Sequence, residues 1–435
     1  MRALINAFIV HVTLNILVFL KGWHTFDEKK WARIILSAVF GVELLVYSSG
    51  LLFYRIIPDP ITQLIRVIGT SWMLFLLYTG GVWLVIDLIY IIRRRIQRRS
   101  WYFKDQPSKY KIVTFLAPIL AVSGVMVHGH HKFLHPVVQQ VHLTVHKQAG
   151  ELDSLRIAVV GDLHMGWMIN RNHTRKYVDL ILEQKPDLIL FVGDIIDSHI
   201  DPILDEGMND ELSRLKAPLG VFSCTGNHEY RYDAEEKIQL LNDAGITMLR
   251  DSAVFVDSAF YVVGREDKVI LNRKSTAKLL ATEGVDMSKP VIVLNHTPDN
   301  LSEEADAGAD IALYGHTHHG QAFPGNIATQ MVFEVAHGYK KKGNTHVYVT
   351  SGISLVGPQY RIGTVSEMVM ITVKFEPQKN DIRRITDNQP PFRDVPNVIL
   401  STIDNVLLPD LSLAIQSMNP HSQKNDKTHY PGSSL

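Results

Sequence analysis

The sequence predicts an α/β domain carried behind an α-helical membrane region, and three observations predict it. The first 130 residues have a membrane composition, with long stretches almost free of charge. From Leu155 onward, short apolar runs alternate with helical stretches, the rhythm of an α/β fold. Five blocks of metal-friendly residues follow such runs: Gly161-Asp162-Leu163-His164, Gly193-Asp194-Ile195-Ile196-Asp197, Gly226-Asn227-His228-Glu229, Asn295-His296 and Gly315-His316-Thr317-His318. A chain of 435 residues has room for two or three domains. Hydrophobic content of 46% and charge of 20% exclude a wholly disordered chain, and a net charge of zero offers no nucleic-acid surface. The single cysteine, Cys224, excludes an intrachain disulfide framework.

Four stretches are long and apolar enough to cross a bilayer. The first runs from Ala3 to Leu20. No small-residue cleavage pattern follows it, and Asn6, His11 and Asn15 suit a helix packed in a bundle rather than a signal peptide. The second lies between Arg33 and Arg55 and holds Glu43; the third lies between Arg66 and Arg93, with Asp87 near its end. The fourth starts at Ile112 and fades at His128, and Pro118 makes it the least regular. Basic residues cluster after the third span (Arg93-Arg94-Arg95, Arg98, Arg99, Lys104, Lys109, Lys111) and between the first two (Lys21, Lys29, Lys30, Arg33). The loop from Arg55 to Arg66 is poorer. The positive-inside rule makes both basic loops cytoplasmic, so both termini and the metal-friendly blocks are expected outside the cytoplasm. That position explains the basic run better than a nucleic-acid patch does. Glu43 is costly in lipid and marks either a ligand or proton site or a structural group. The structural reading, with hydrogen bonds to His11, Asn15 or Ser48, is the expected one.

Gly129 to His135 (Gly-His-His-Lys-Phe-Leu-His) has a metal-binding composition but reads as a solvated, mobile stub leaving the bilayer. Val137 to His146 alternates apolar and polar residues, as a half-buried strand does. Buried strands are expected at Arg156–Val160, Leu188–Val192, Gly220–Cys224, Pro290–Leu294 and Asp310–Tyr314, with a helix over Asn172–Gln184 and another before Gly220. The second half pairs Ala253–Asp257 with Ala259–Val263, and Val347–Thr350 with Glu367–Lys374. The sum is a two-sheet sandwich with helices outside, and ligands in such sheets gather beyond the carboxyl ends of the strands. The expected organisation is a four-helix membrane region over 1–130, a linker and first strand over 131–154, the α/β domain over 155–375, and a partly disordered extension over 376–435. Within that extension Val398–Leu413 is apolar enough to dock as a helix, and the tail from Asn419 reads as disordered.

Singly the five blocks are weak signals; in order, each after a strand, they are specific. Asp, Asn and His supply the oxygens and imidazole nitrogens that borderline divalent metals accept. Here the sequence resembles the calcineurin-like metallophosphoesterase superfamily, whose pattern is D-x-H, G-D-x-x-D, G-N-H-[ED], H and G-H-x-H, over roughly Leu155 to Phe375. Gly315-His-Thr-His-His-Gly-Gln321 and Gly357-Pro-Gln-Tyr-Arg-Ile-Gly363 are similar to a membrane-anchored bacterial-type branch. One departure is His319, where that branch usually has Gly; its ring either narrows the pocket or contacts substrate, or else points to solvent. The resemblance implies a four-layer αββα sandwich, with Asp162, His164, Asp194 and His318 holding one metal and Asn227, His296 and His316 completing a second site bridged by Asp194. It implies that His228 protonates the leaving oxygen or stabilises negative charge, with Asp197 orienting it.

Two divalent ions, Mn²⁺ by family habit and Fe or Zn²⁺ as alternatives, would neutralise phosphate oxygens and lower the pKa of a shared water for in-line attack on phosphorus. The expected function is a membrane-anchored phosphohydrolase of phosphate esters or pyrophosphates. Its partners would be the bilayer and a phosphorylated small molecule or lipid, with no nucleic acid. The competing class is a membrane sensor or scaffold with a non-catalytic metal site, and no loss from the ligand set favours it. A transporter is disfavoured because only Glu43 and Asp87 carry charge within the spans. Lys340-Lys341-Lys342 either steers anions or, as expected, forms a solvated turn. The role of Arg361 stays open between packing behind the site and touching phosphate.

Overall fold

The computed structural model describes residues 2–52, 59–97 and 108–376. Four apolar helices open the chain: α1 (Arg2–Thr25), α2 (Lys30–Leu52), α3 (Asp59–Gln97) and α4 (Ser108–Leu134). All four are long and apolar enough to cross a membrane. Polar residues within them pair with one another instead of facing lipid alone. His11 Nε2 meets Glu43 Oε2 at 3.1 Å, so Glu43 takes the structural role expected of it. Trp72 Nε1 donates to Asn15 Oδ1, and Lys21 reaches Asp87 at 2.6 Å.

Helix α4 corrects the reading of its carboxyl end. It does not fade at His128 but continues to Leu134, so the Gly129–His135 run is no mobile stub. Phe133 is fully buried in the core of the following domain, and His130 Nδ1 bonds the Gln359 carbonyl. Burial of that aromatic face outweighs the polarity of the His-rich stretch. The expected cytoplasmic residues Arg98, Arg99 and Lys104, part of the loop near Arg55, and the extension with Val398–Leu413 lie outside the described residues.

After α4 the elements run β1 (Val137–Val145), β2 (Ser154–Val160), α5 (Arg171–Glu183), β3 (Leu188–Phe191), α6 (Asp201–Asp205), α7 (Met208–Leu212), β4 (Val221–Cys224), α8 (Ala234–Asp243) and β5 (Thr247–Leu249). There follow β6 (Ser252–Val256), β7 (Phe260–Gly264), α9 (Thr276–Thr282), β8 (Val291–Leu294), α10 (Leu301–Asp306), β9 (Ile311–Tyr314), α11 (Gly325–Val332), β10 (Gly338–Lys342), β11 (Thr345–Val349) and β12 (Glu367–Phe375). One six-stranded sheet has the order β1-β12-β2-β3-β4-β5, the other β10-β11-β9-β8-β7-β6. Strand alternation builds two hydrophobic layers at once. On β2, Leu155, Ile157 and Val159 point between the sheets, while Ala158 and Val160 pack under α5, α7 and α8. Helices α9 and α10 cover the second sheet, which completes a four-layer αββα sandwich.

One pairing and one turn differ from expectation. Val347–Thr350 does not pair with Glu367–Lys374: β11 lies between β9 and β10, while β12 joins the other sheet between β1 and β2. Both strands are buried on two faces, so neither carries a pattern that distinguishes its partner. Lys340-Lys341-Lys342 is no turn either; it lies on β10, an edge strand, with Lys340 and Lys342 paired to Glu334.

Candidate metal centre

Strands β2, β3 and β4 run parallel, as do β8 and β9 in the facing sheet, so the loops after them converge. Three groups of side chains there present ligand atoms within 4.8 Å of one another: Asp162, His164 and His318; His164, Asp194 and His228; and Asp194, His296 and His316. The Asp194 Oδ2 atom stands between the outer groups, 3.1 Å from His296 Nε2 and 3.8 Å from His164 Nε2. Asn227 joins through its Oδ1, 2.9 Å from His316 Nδ1. All seven expected ligands and His228 are thus brought together.

The backbone is shaped for this site. Asp162, His164, Asp194, His316 and His318 all have positive φ, a left-handed conformation that costs a non-glycine residue about 1–2 kcal/mol. Such strain persists where surrounding structure over-determines it and collects at functional sites. Glu229 supplies much of that determination. Its buried carboxylate accepts from the backbone N–H groups of Asp194, Ile195, Ile196 and Gly226, which ties two ligand loops together. Gly226 is required by close approach, since a Cβ there would run into the Asp194 carboxylate.

The chemistry of the donor set fits divalent cations. His164 Nε2 and His318 Nε2 face each other at 3.1 Å with Asp162 Oδ1 3.5 Å from the latter, although two such nitrogens can share only one proton. His296 donates from Nδ1 to the Val192 carbonyl at 2.7 Å, which orients the ring and leaves Nε2, 3.1 Å from Asp194 Oδ2, as the nitrogen a cation would take. The charges are strongly coupled. Burial resists ionisation of Asp194, but His296, His164 and His228 hold its carboxyl well below the usual range. Burial raises that of Asp162. His296 is likewise opposed by burial yet pushed up to about 10 by Asp194, while burial and His296 bring His316 down to about 4. Uncompensated buried carboxylates and imidazoles of this density are costly, and cations resolve the cost.

Beside the ligands, His228 Nδ1 lies 2.6 Å from Asp197 Oδ1 and 3.0 Å from the better aligned Asp197 carbonyl. The same Asp197 oxygen is 3.6 Å from His164 Nδ1. Burial opposes the Asp197 charge, but the two imidazoles keep its carboxyl depressed.

Three positions resolve further. Arg361 is fully buried and donates to the carbonyls of His318, Ser351, Gly352 and Ser354 and to Ser366 Oγ, so it braces the loop beneath His318. His319 is part-buried and does not stand alone; it stacks on His337, which contacts Glu367 at 3.1 Å. Asn295 serves structure, donating to Glu304 Oε1. Replacing Arg361 with Leu strands four buried carbonyls, each costing about 1–3 kcal/mol. The Arg361→Leu protein is expected to melt several degrees lower and to lose bound metal; an unchanged melting curve refutes the bracing role.

Residues 155–320 match the family model described as calcineurin-like phosphoesterase. A metallophosphoesterase of Aquifex aeolicus is 29% identical, over 51% of this chain and 85% of that one. A transmembrane protein with metallophosphoesterase domain from Danio rerio is 29% identical, over 60% of this chain and 62% of that one. A metallophosphoesterase of Campylobacter jejuni is 30% identical, over 51% of this chain and 59% of that one.

Proposed function

We propose, from the premise that this chain carries a calcineurin-like metallophosphoesterase domain and is a metal-dependent hydrolase of phosphoric esters, that it works as a dinuclear enzyme anchored by four membrane spans with its site outside the cytoplasm. The observation that carries the dinuclear reading is Asp194 Oδ2, placed between the His164 and His296 nitrogens. Asp162, His164, His318 and Asp194 would hold one ion; Asp194, Asn227, His296 and His316 would hold the other. When bound, such a pair neutralises phosphate oxygens and activates water at neutral pH. Mn²⁺ is the proposed metal, since mixed imidazole and carboxylate donors accept it.

The chain's own residues then set orientation and proton traffic. Asp197 holds Nδ1 of His228, so its Nε2 side is the one turned toward the cluster, 3.9 Å from Asp194 Oδ2. A proton at Nε2 is positioned for the leaving oxygen. Glu229 and Arg361 keep the ligand loops from relaxing as charge redistributes. Orientation rests on the basic residues at one end of the bundle, including Lys29, Lys30, Arg33, Arg93 and Arg95.

A chelated and metal-repleted protein tests the activity. Hydrolysis of nitrophenyl phosphate and bis(nitrophenyl) phosphate is expected only after Mn²⁺ add-back; hydrolysis that survives chelation refutes metal dependence, and none with any divalent ion refutes turnover. For topology, Gln148→Cys is exposed while the natural Cys224 is buried. A membrane-impermeant thiol reagent should label that variant in intact cells, and labelling only after lysis reverses the orientation.

A further inference from the structure

The metal centre lies on the membrane side of the sandwich. Strand β1 leaves the bundle after two connecting residues beyond α4, so its start at Val137 is membrane-proximal and its end at Val145 is about 26 Å away at 3.3 Å per residue. β12 runs parallel to β1 with Val137 opposite Glu367, and β2 runs antiparallel to β12 with Val159 opposite Val369. The carboxyl ends of β2, β3 and β4, which carry Asp162, Asp194 and Asn227, therefore return to the membrane-proximal edge.

The helices measure how near that edge comes. Arg93 and Arg95 mark one membrane boundary on α3, and Lys109 and Lys111 mark the same boundary on α4. Tyr78 lies fifteen residues before Arg93 on α3, about 22 Å along the axis at 1.5 Å per residue. Its hydroxyl donates to the Phe323 carbonyl. Gly129 lies eighteen residues beyond Lys111 on α4, about 27 Å along, and its carbonyl accepts from Arg361 N. Tilt only shortens these heights. Both contacts therefore fall within a hydrocarbon layer about 30 Å thick. Tyr360 and Ile362 pack there against Leu74, Val122 and Met126.

At that depth the catalytic domain presents a loop with the wrong surface for water. Between His319 and Phe333, Phe323 is 51% exposed, Ile327 46%, Met331 83% and Val332 74%. The loop carries α11 and is stitched to the helix-contacting segment by Phe323 N to the Ile362 carbonyl. It starts and ends at the metal centre: His318 precedes it, and the ring of Phe333 packs edge-on against His316. Exposed apolar groups continuous with membrane-spanning helices belong in the interface of the bilayer.

We propose that this loop is embedded in the leaflet beneath the catalytic domain, and that the substrate is a phosphate carried by a membrane-resident amphiphile. The substrate half rests on the phosphohydrolase reading above. A lipid headgroup entering beside α11 meets the His316 and His318 ligands without leaving its leaflet, whereas a soluble ester gains nothing from the apolar loop.

The test uses full-length protein in phosphatidylcholine vesicles, nitroxide-labelled at Met331→Cys or, at the distal edge, at Gln148→Cys. Relaxation of the Met331 label by oxygen is expected to exceed that by an aqueous nickel complex, with the opposite order at Gln148. In parallel, phosphatidate in the vesicles should inhibit nitrophenyl phosphate hydrolysis at bulk concentrations at least tenfold below those needed of glycerol 3-phosphate. A Met331 label as aqueous as that at Gln148 overturns the embedding, and equal inhibition overturns the lipid substrate. Absence of any metal-dependent hydrolysis sinks the enzymatic reading and the substrate with it, while the labels still decide where the loop lies.

Discussion

Asp194→Asn is expected to lower metal-dependent phosphoester hydrolysis by about 10³-fold or more while leaving the fold intact. Removing one charge from a metal pair takes away several kcal/mol of transition-state stabilisation, at about 1.4 kcal/mol per factor of ten. Asparagine is the informative replacement because Asp194 has φ near 54° and Asn tolerates that left-handed backbone. Its Oδ1 can still accept from His228 N, now 2.8 Å from the carboxylate. What it cannot do is face His296 and His164 with negative charge on Oδ2. Metal content measured after dialysis should fall with activity. The metal-free variant should melt lower than the metal-free parent, because removing the charge of Asp194 leaves the buried His296 imidazole 3.1 Å away without its counter-charge. Hydrolysis undiminished in Asp194→Asn would overturn the assignment of this residue.

Residues near the site were legible in the sequence because their chemistry and spacing are both unusual. The runs ending at Val160, Phe191 and Cys224 announce buried strands, and each is followed by a glycine and a ligand type within three residues. Glu229 and Arg361, which hold those loops, lie inside the family motifs, but nothing in their residue type marks that role. Only the fold shows a carboxylate gripping four backbone N–H groups and a guanidinium gripping four carbonyls. An Arg followed by Ile-Gly gives no hint of complete burial. Strand partners failed for a related reason. β11 and β12 are buried on both faces, so register and neighbour depend on tertiary fit rather than on alternation. The helical extent of α4 was missed because histidines at 128, 130, 131 and 135 look solvated, whereas Phe133 among them fixes which face turns inward. The short helix α11 escaped notice because eight residues offer too little periodicity, and its apolar side chains find no protein core to fill.

His228→Ala is expected to discriminate between leaving groups, which separates proton donation from mere support of the site. A nitrophenolate departs without help, so its phosphate ester should lose only about tenfold in kcat. An alkyl phosphate expels a strongly basic alkoxide and should lose the full contribution of a general acid, about 10²–10⁴-fold. KM for the two substrates should move together, because the ligand groups formed by Asp162, His164 and His318 and by Asp194, His296 and His316 are retained. Asp197→Asn makes the complementary case. It keeps a group near His228 Nδ1, 2.6 Å from Oδ1 in the parent, but removes the charge that stabilises the imidazolium. The same leaving-group pattern should then appear at smaller size. Should His228→Ala slow both esters equally, the imidazole acts on the phosphoryl group or on the metal ligands, and the assignment of the proton to the leaving oxygen fails. Its ring already touches His164 edge-on with centroids 4.6 Å apart, so a purely positional role would show instead as lost metal affinity.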